Sequence, residues 1–558
     1  MCMRRIRKFF IANFYIIFIL FFLNILPSCC YVLYTVSGVS LIFKMLQICL
    51  NSFLLSLVIV VFFNLFRLEK FVRNVVLIFF YLVTVSELFL VLDFKSTYSV
   101  PLLNLVYRTD QQEAANFIES FWGSEVLLVL LLVLILSGGY IYVLMKKRPI
   151  QKLLLKIPYL NLFLSLSVMG GIFLFCYRMF SPFTFYKTIT PIHRLLVSGK
   201  GVVDGIREQK TINEYRKSHV VRLTKEGDKI KNVVFVIGES LNRDHMSLYG
   251  YPLKTTPALD LLRGNIFKYE DVISSSPSTF ISINNMFSFA GNDPSSSGLW
   301  YQKGLLPDIM KAAGYRTYWI SNQTTPLLSD DICDVVVYRD KEVAEELKDG
   351  LYDEQLLPIL KDSINPSDNM RFVVVHLWGS HFTYKKRYPS EYSVFSAKNE
   401  IKGKTEEQKQ CIAEYDNSVL YNDYIVSSII RFFQEEESLI IYVSDHGEEV
   451  YDFRNFAGRY PDKVTRYMLE IPMLVYVSDS LKNRYPGLSS RIVKSLDRPY
   501  MTDDIIHTIL DLTGIHTFYY DSTKSVVNDC YDETRTRLVN GVDYDAYLKG
   551  SNREWRGL

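Results

Sequence analysis

The sequence predicts two fold classes in one chain: an amino-terminal bundle of membrane-spanning α-helices, then an α/β domain whose parallel sheet is flanked by helices. Three observations carry this. Apolar stretches of the length that a bilayer core demands recur before Tyr177 and not after it. The basic residues between those stretches alternate by side. From about residue 230 onward, short β-rich runs alternate with helical ones.

The apolar stretches run at approximately 9–34, 46–66, 72–92, 125–145 and 157–177. Arg4, Arg5, Arg7 and Lys8 precede the first; Arg67, Lys70 and Arg73 separate the second from the third; Lys146, Lys147, Arg148, Lys152 and Lys156 separate the fourth from the fifth. The other two connections carry only Lys44 in one and Lys95 and Arg108 in the other. The positive-inside rule therefore gives an inside amino terminus, five spans and an outside carboxyl-terminal domain. A cleaved signal peptide fits the first stretch poorly, because that stretch exceeds an h-region and leads to Cys29-Cys30 and more spans. The expected divisions are a five-span domain over 1–177, a linker over 178–229 and an outer domain over 230–558.

Glu87, inside the third stretch, is expensive in lipid and is expected to face other helices or a polar cavity. The outside loop from Pro101 to Trp122 holds Asn104, Arg108, Thr109, Asp110 and Glu113 where a lipid headgroup would be handled, although such residues more often serve loop solvation. The linker is polar and basic through Arg194, Lys200, Arg207, Lys210, Arg216, Lys217 and Arg222, with Gly199-Lys200-Gly201 as a break, and reads as surface-hugging. A formal charge of +3 over 558 residues argues against a dedicated nucleic-acid binder. Of the eight cysteines only Cys333, Cys411 and Cys530 belong to the outer domain; one bridge among them is permitted and none is demanded. That domain must therefore be stable largely through its core.

In the outer domain the expected strands are 233–237, 316–320, 372–377, 438–443 and 471–477, with helices such as Leu305–Gly314 and Ala413–Phe433 between them. Open α/β sheets place their chemistry at the carboxyl ends of strands. The run ending at Ile237 is followed by Gly238-Glu239-Ser240, the glycine being expected to let ligands approach the backbone. The run ending at Val375 is followed by His376 and then His381, and the run ending at Val443 by Ser444-Asp445-His446-Gly447. Three of the eight histidines thus follow such strands, a clustering that favours a site over scattered core histidines. Carboxylates and neutral imidazoles are good ligands for a borderline divalent cation such as zinc, so Glu239, His376, Asp445 and His446 along one sheet edge read as a metal site. The strand-like Phe267–Ile273 leads into Ser274-Ser275-Ser276-Pro277-Ser278-Thr279 and a helix over Phe280–Phe287. A hydroxyl at that amino terminus is favoured as an alkoxide and beside a phosphoryl group, and serves equally as an N-cap.

The ordered motifs resemble a known family. Ile237-Gly238-Glu239-Ser240, Arg243-Asp244-His245-Met246-Ser247-Leu248-Tyr249-Gly250-Tyr251, Thr255-Thr256-Pro257, Ser278-Thr279, His376 with Gly379-Ser380-His381, Tyr415-Asp416-Asn417-Ser418 with Tyr421, Asp423 and Tyr424, and Ser444-Asp445-His446-Gly447-Glu448 are similar to those of the bacterial phosphoethanolamine transferases. These are inner-membrane enzymes of the alkaline-phosphatase and sulfatase superfamily, with five amino-terminal spans and a periplasmic catalytic domain. The resemblance implies an alkaline-phosphatase/sulfatase-like sheet flanked by helices, a multi-pass bacterial inner-membrane protein, and Zn²⁺ held by Glu239, Thr279, Asp445 and His446, with Thr279 also the nucleophile. It implies transfer of phosphoethanolamine from phosphatidylethanolamine to Thr279 and then to an envelope glycolipid, lipopolysaccharide core or lipid A. His381 matches a phosphate binder or a proton donor to the leaving group; His376 either lines the site or packs behind it. Thr109 and Glu113 keep the spacing of residues that meet the lipid headgroup, and Asn104 falls one position away.

Two departures accompany the resemblance. Ser275 and Asn285 stand where lipid A-modifying members carry cysteines flanking the nucleophile, and no histidine in Val450–Arg466 matches the one those members place after the Asp-His-Gly-Glu motif. Asp445–Asp452 and Ser321-Asn322-Gln323 are closer to the branch that modifies the lipopolysaccharide core. Other readings are a phosphoglycerol transferase of the same superfamily, which metal ligands alone do not separate; a sulfatase, whose Cys/Ser-x-Pro-x-Arg setting Ser276-Pro277 lacks; and an inactive membrane-tethered scaffold, against which the four ligands argue.

Overall fold

The computed structural model describes residues 2–35, 39–94, 96–108, 135, 138, 190–262, 264–291, 300–323, 331–338, 352–398, 403–459 and 463–556. The chain divides into two compact units, Met1–Ile206 and Arg207–Leu558.

In the first unit, α1 (Cys2–Thr35), α2 (Val39–Leu65) and α3 (Lys70–Phe94) contain runs of 27, 25 and 23 residues long and apolar enough to cross a membrane. The fourth and fifth expected spans, Ile135 and Gly138 apart, lie outside the described residues. Leu20, Val60, Phe63 and Val83 pack between the helices, while Ile42, Val58, Phe71 and Leu82 point outward, an apolar exterior that lipid would cover. Glu87 faces its neighbours, as expected of a carboxylate at this depth. Arg194 of helix α5 (Pro191–Ser218) reaches it through Nε–Oε1 at 2.7 Å and Nη2–Oε2 at 2.6 Å, with both side chains 0% exposed. Pairing in this bidentate form offsets the cost of burying either charge alone. The same guanidinium donates to Ser28 of α1 at 2.9 Å.

The expected break at Gly199-Lys200-Gly201 does not form; α5 runs straight through it. An interior glycine costs a helix only about 1 kcal/mol, and Gly201 has a packing reason to be there. A Cβ on it would lie 2.6 Å from Val100 Cγ2, at the start of helix α4 (Val100–Arg108).

The second unit is built on a seven-stranded sheet. Its strands are β1 (Asn232–Gly238), β2 (Ile266–Tyr269), β3 (Arg316–Ser321), β4 (Val335–Tyr338), β5 (Arg371–His376), β6 (Ser438–Ser444) and β7 (Met473–Val477), in the spatial order β2-β7-β6-β1-β5-β3-β4. The centre is parallel, as the sequence suggests, but β7 runs antiparallel to both β6 and β2, so the sheet is mixed. Strands β1, β5 and β6 are buried at every position and read as near-unbroken apolar runs because both faces are covered. Alternate residues feed two cores. Val233, Phe235, Leu439 and Ile441 pack with Ile283, Met286 and Phe287 of helix α6 (Thr279–Phe287) and with Ile509 of a later helix. Val234, Val236, Val373 and Ile440 pack with Ile425 and Ile429 of helix α8, a 28-residue helix (Glu406–Phe433); α7 (Leu306–Ala312) supports the first face. Helix α8 begins earlier than its apolar period suggests because Thr405 and Gln408 form a reciprocal capping box. Cys333, Cys411 and Cys530 are free thiols.

Candidate active site

Neighbouring parallel strands deliver the site. Gly238 of β1 lies opposite Ser444 of β6, so Glu239 and the Asp445-His446 pair leave the sheet side by side, each no more than 1% exposed. Ser240 turns the chain at φ +58. Its amide donates to Asp445 Oδ1 at 3.1 Å, its hydroxyl to Glu239 Oε1 at 2.9 Å, and its carbonyl accepts from Tyr415 at 2.7 Å. His446 Nδ1 lies 2.8 Å from the Gly447 carbonyl, which can only accept, so Nδ1 carries the proton and Nε2 presents its lone pair. Burial pushes this imidazole down to about 3, keeping it neutral.

Around Nε2 lie Glu239 Oε1, Asp445 Oδ2 and Thr279 Oγ1, each at 3.2 Å. Thr279 Oγ1 is 3.3 and 3.4 Å from the two Glu239 oxygens, and Asp445 Oδ2 is buried without a hydrogen-bond partner. Zinc bonds of 2.0–2.2 Å in a tetrahedron require donors about 3.3–3.6 Å apart. The donor set therefore fits that ion, and an uncompensated Asp445 oxygen facing a lone pair is explained by a cation between them. Burial opposes ionisation of Glu239, yet the Arg459 guanidinium beside it helps to hold the carboxyl below the usual range. Burial and the Glu239 carboxylate push Asp445 up; a divalent cation reverses that balance.

Thr279 opens α6. The N-cap, Ser278, makes no side-chain capping bond, and the threonine hydroxyl joins the cluster. The helix is tied down by Ser282, whose hydroxyl donates to the Asp445 carbonyl, and by Asn285, whose Nδ2 donates to Ser275 Oγ at 3.1 Å. A hydrogen bond thus joins the two positions at which the resemblance would place a cysteine pair.

The segment after β5 passes over Glu239. Gly379, at φ +53, could carry no Cβ, which would sit 2.7 and 2.8 Å from the Glu239 carbonyl oxygen and nitrogen. Asp353 clamps the turn by accepting from the amides of Trp378 and Gly379 at 2.8 and 2.9 Å. His381 follows, edge-on to Trp378, with Nδ1 buried and unpartnered and Glu239 and Arg459 near enough to act on it electrostatically. Burial pushes it down to about 4. His376 stays behind the cluster: Nδ1 is 3.3 Å from Ser321 Oγ, the ring packs edge-on against Trp319, and burial takes it to about 4 as well. Asn104 lies in α4 of the first unit, whereas Thr109 and Glu113 lie outside the described residues.

Two residues join the site without having been expected there. Gln323 Nε2 donates to Glu239 Oε2 at 3.2 Å. Arg459 Nη1 lies 3.1 Å from Glu239 Oε1, 3.1 Å from Thr279 Oγ1 and 3.3 Å from His446 Nδ1. Gln323 belonged to a noted Ser-Asn-Gln motif; Arg459 stands in a loop with no periodic signal. Gly238 also differs from its reading. The space above it is filled by Tyr442, whose hydroxyl would be 2.6 Å from a Cβ, so its smallness serves packing.

Known proteins resemble this chain in sequence and in fold. The Sulfatase family profile matches residues 231–515. The chain is 34% identical over 346 residues to phosphoethanolamine transferase EptC of Escherichia coli (strain K12), covering 58% of this chain and 59% of that protein. It is 32% identical over 346 residues to phosphoethanolamine transferase CptA of Salmonella typhimurium, with the same coverage of 58% and 59%. The chain thus spans about three fifths of the length of these curated relatives. The crystal structure of the C-terminal periplasmic domain of Escherichia coli EptC in complex with Zn superposes with a TM-score of 0.54 at 32% identity, covering 60% of this chain and 98% of that one. The integral membrane lipooligosaccharide phosphoethanolamine transferase A of Neisseria meningitidis shares the fold, with a TM-score of 0.64 at 22% identity over 92% of this chain and 97% of that one.

Proposed function

Since this chain belongs to the sulfatase family, we propose that it is a zinc-dependent phosphoethanolamine transferase. It moves phosphoethanolamine from phosphatidylethanolamine to an envelope glycolipid, lipopolysaccharide core or lipid A, from a multi-pass position in the bacterial inner membrane, with residues 230–558 in the periplasm. The observation that carries the reading is the convergence of Glu239, Asp445 and Thr279 oxygens on His446 Nε2, each 3.2 Å from it. The two relatives described above are phosphoethanolamine transferases, which supports the transferred group.

Glu239, Asp445, His446 and Thr279 would hold the ion. Bound zinc supplies Lewis acidity, lowering the pKa of a coordinated hydroxyl and offsetting phosphoryl charge. Thr279 Oγ attacks phosphorus and the bond to the diacylglycerol oxygen breaks; its electron pair leaves with that oxygen, which takes up a proton. The product on the chain is a phosphoethanolamine-threonine ester. An acceptor oxygen then attacks the same phosphorus, and Thr279 regains its proton. His381, neutral and with a free buried nitrogen, meets a phosphate oxygen or the leaving oxygen. Asn104, Thr109 and Glu113 are the proposed headgroup contacts, Glu113 pairing with the ethanolamine ammonium.

Mass spectrometry of the detergent-purified protein after exposure to phosphatidylethanolamine tests the proposal. A phosphoethanolamine adduct on the Thr279 peptide, absent from Thr279→Ala, is expected. Modification by phosphatidylglycerol instead would make the enzyme a phosphoglycerol transferase, and no modification by either lipid with zinc bound would sink transfer through Thr279.

A further inference from the structure

We infer that Arg459 is a catalytic residue of this site, a guanidinium clamp on the phosphoryl group as it passes to and from Thr279. The inference deepens the transferase reading and rests on it for the identity of the transferred group.

Position comes first. Glu239, Asp445 and His446 are sealed at 1%, 0% and 0% exposure, whereas the Arg459 side chain is 20% exposed and Thr279 is half-buried. The nucleophile hydroxyl and this guanidinium, 3.1 Å apart, thus belong to residues less buried than the three ligands. A phosphoryl group that comes within bonding reach of Thr279 Oγ1 meets Arg459 as well. The residue is delivered by a short hairpin, Glu449–Val450 against Ala457–Gly458, that follows directly from the Asp445-His446 segment. The chain thus folds back on its own metal-ligand pair to put one cation at the mouth.

Donor capacity comes second. Arg459 spends Nη1 on Glu239 and Thr279, and its Nε and Nη2 make no hydrogen bond among the described residues. A guanidinium carries five donors in a planar fork that matches phosphate oxygens, and it keeps its charge at any working pH.

Charge comes third. Two ionised carboxylates and one divalent cation are neutral together. Removing the Thr279 proton leaves one negative charge, and an incoming phosphodiester brings another. Arg459 is the guanidinium in contact with the nucleophile that can offset this excess beside three buried ligands.

The full-length protein in detergent, as wild type, Arg459→Gln and Arg459→Lys, is compared by three readouts. These are zinc content, calorimetric affinity of the zinc-loaded protein for inorganic phosphate, and the single-turnover rate of Thr279 loading from phosphatidylethanolamine. Arg459→Gln is expected to hold zinc like wild type, bind phosphate at least about tenfold more weakly, and load on the order of 10²-fold more slowly. Arg459→Lys, which keeps charge but loses the fork, falls between and guards against a misfolded glutamine variant. Wild-type phosphate affinity and loading in Arg459→Gln would overturn the clamp and leave the residue a counterion of Glu239. Loss of zinc in both variants would also overturn it, making Arg459 a support of the ligand set. If wild type fails to load from phosphatidylethanolamine while phosphate affinity still depends on Arg459, the clamp stands and the donor reading falls.

Discussion

Ser240 sits at φ +58, a conformation that costs a non-glycine residue about 1–3 kcal/mol, and its hydroxyl and amide are both spent on Glu239 and Asp445. Ser240→Ala should lower zinc affinity about 10–100-fold, the usual range for a group that orients a ligand, measured by competition with a chromophoric chelator. Unchanged affinity would mean the hydroxyl is idle. Gly379→Ala should destabilise the outer unit by about 1–3 kcal/mol and displace Glu239, because its Cβ meets backbone at 2.7 Å; an unshifted urea midpoint would refute that. Glu239, Asp445 and His446 were legible in the sequence because each follows an unbroken apolar run, and a strand end is a place that sequence can locate. Arg459 was not, because a hairpin returns it to His446 across 13 residues without any hydrophobic period. Gly238 was misread because a missing Cβ admits a neighbouring ring as readily as a ligand.

Helix α8 acts as a rack for the loops around the site. Tyr415 braces Ser240, Ser418 bonds Ser380, Asn417 accepts from the amides of Val394 and Phe395, and Asp423 accepts from the amides of Ala258 and Leu259. The Tyr-Asp-Asn-Ser motif is therefore scaffolding, a role that sequence shows only as polar residues on a helix. Its Asp416 holds His245 at 2.7 Å, with Asp452 on the other ring nitrogen at 3.2 Å and Tyr251 on the second Asp416 oxygen at 2.9 Å. Burial would lower the His245 pKa, but the two carboxylates raise it to about 10. A folded value above the ordinary 6.5 means that the contribution is complete below about 6.5 and lost as pH rises through about 10. His245→Gln should cost about 3–5 kcal/mol at pH 6, with the penalty shrinking toward pH 10 in urea titrations. A penalty that does not vary with pH would refute a buried imidazolium.

Across the whole molecule, composition was enough to divide helices from α/β domain, because a bilayer and a two-faced sheet each demand long apolar runs. It was not enough to orient β7 or to find β4, since a short half-buried edge strand carries little pattern. Residues 207–558 form a unit with its own core, and should fold and bind zinc when expressed alone; an unfolded product would show that the first unit is needed. Stripping zinc from the full chain should lower the thermal midpoint by roughly 5–10 °C, the effect of an ion present at about a thousand times its dissociation constant. A midpoint indifferent to chelator would argue against an ion at Glu239, Asp445 and His446.

The bond between Asn285 and Ser275 joins the last turn of α6 to the segment that leads into it. A covalent bridge at that place, once opened by a thiol, waits for an oxidant and a pairing catalyst before it closes. An amide and a hydroxyl find each other again within the thermal motion of the loop. The segment bearing Thr279 therefore matures without any oxidising machinery, and a cell short of that machinery still assembles it.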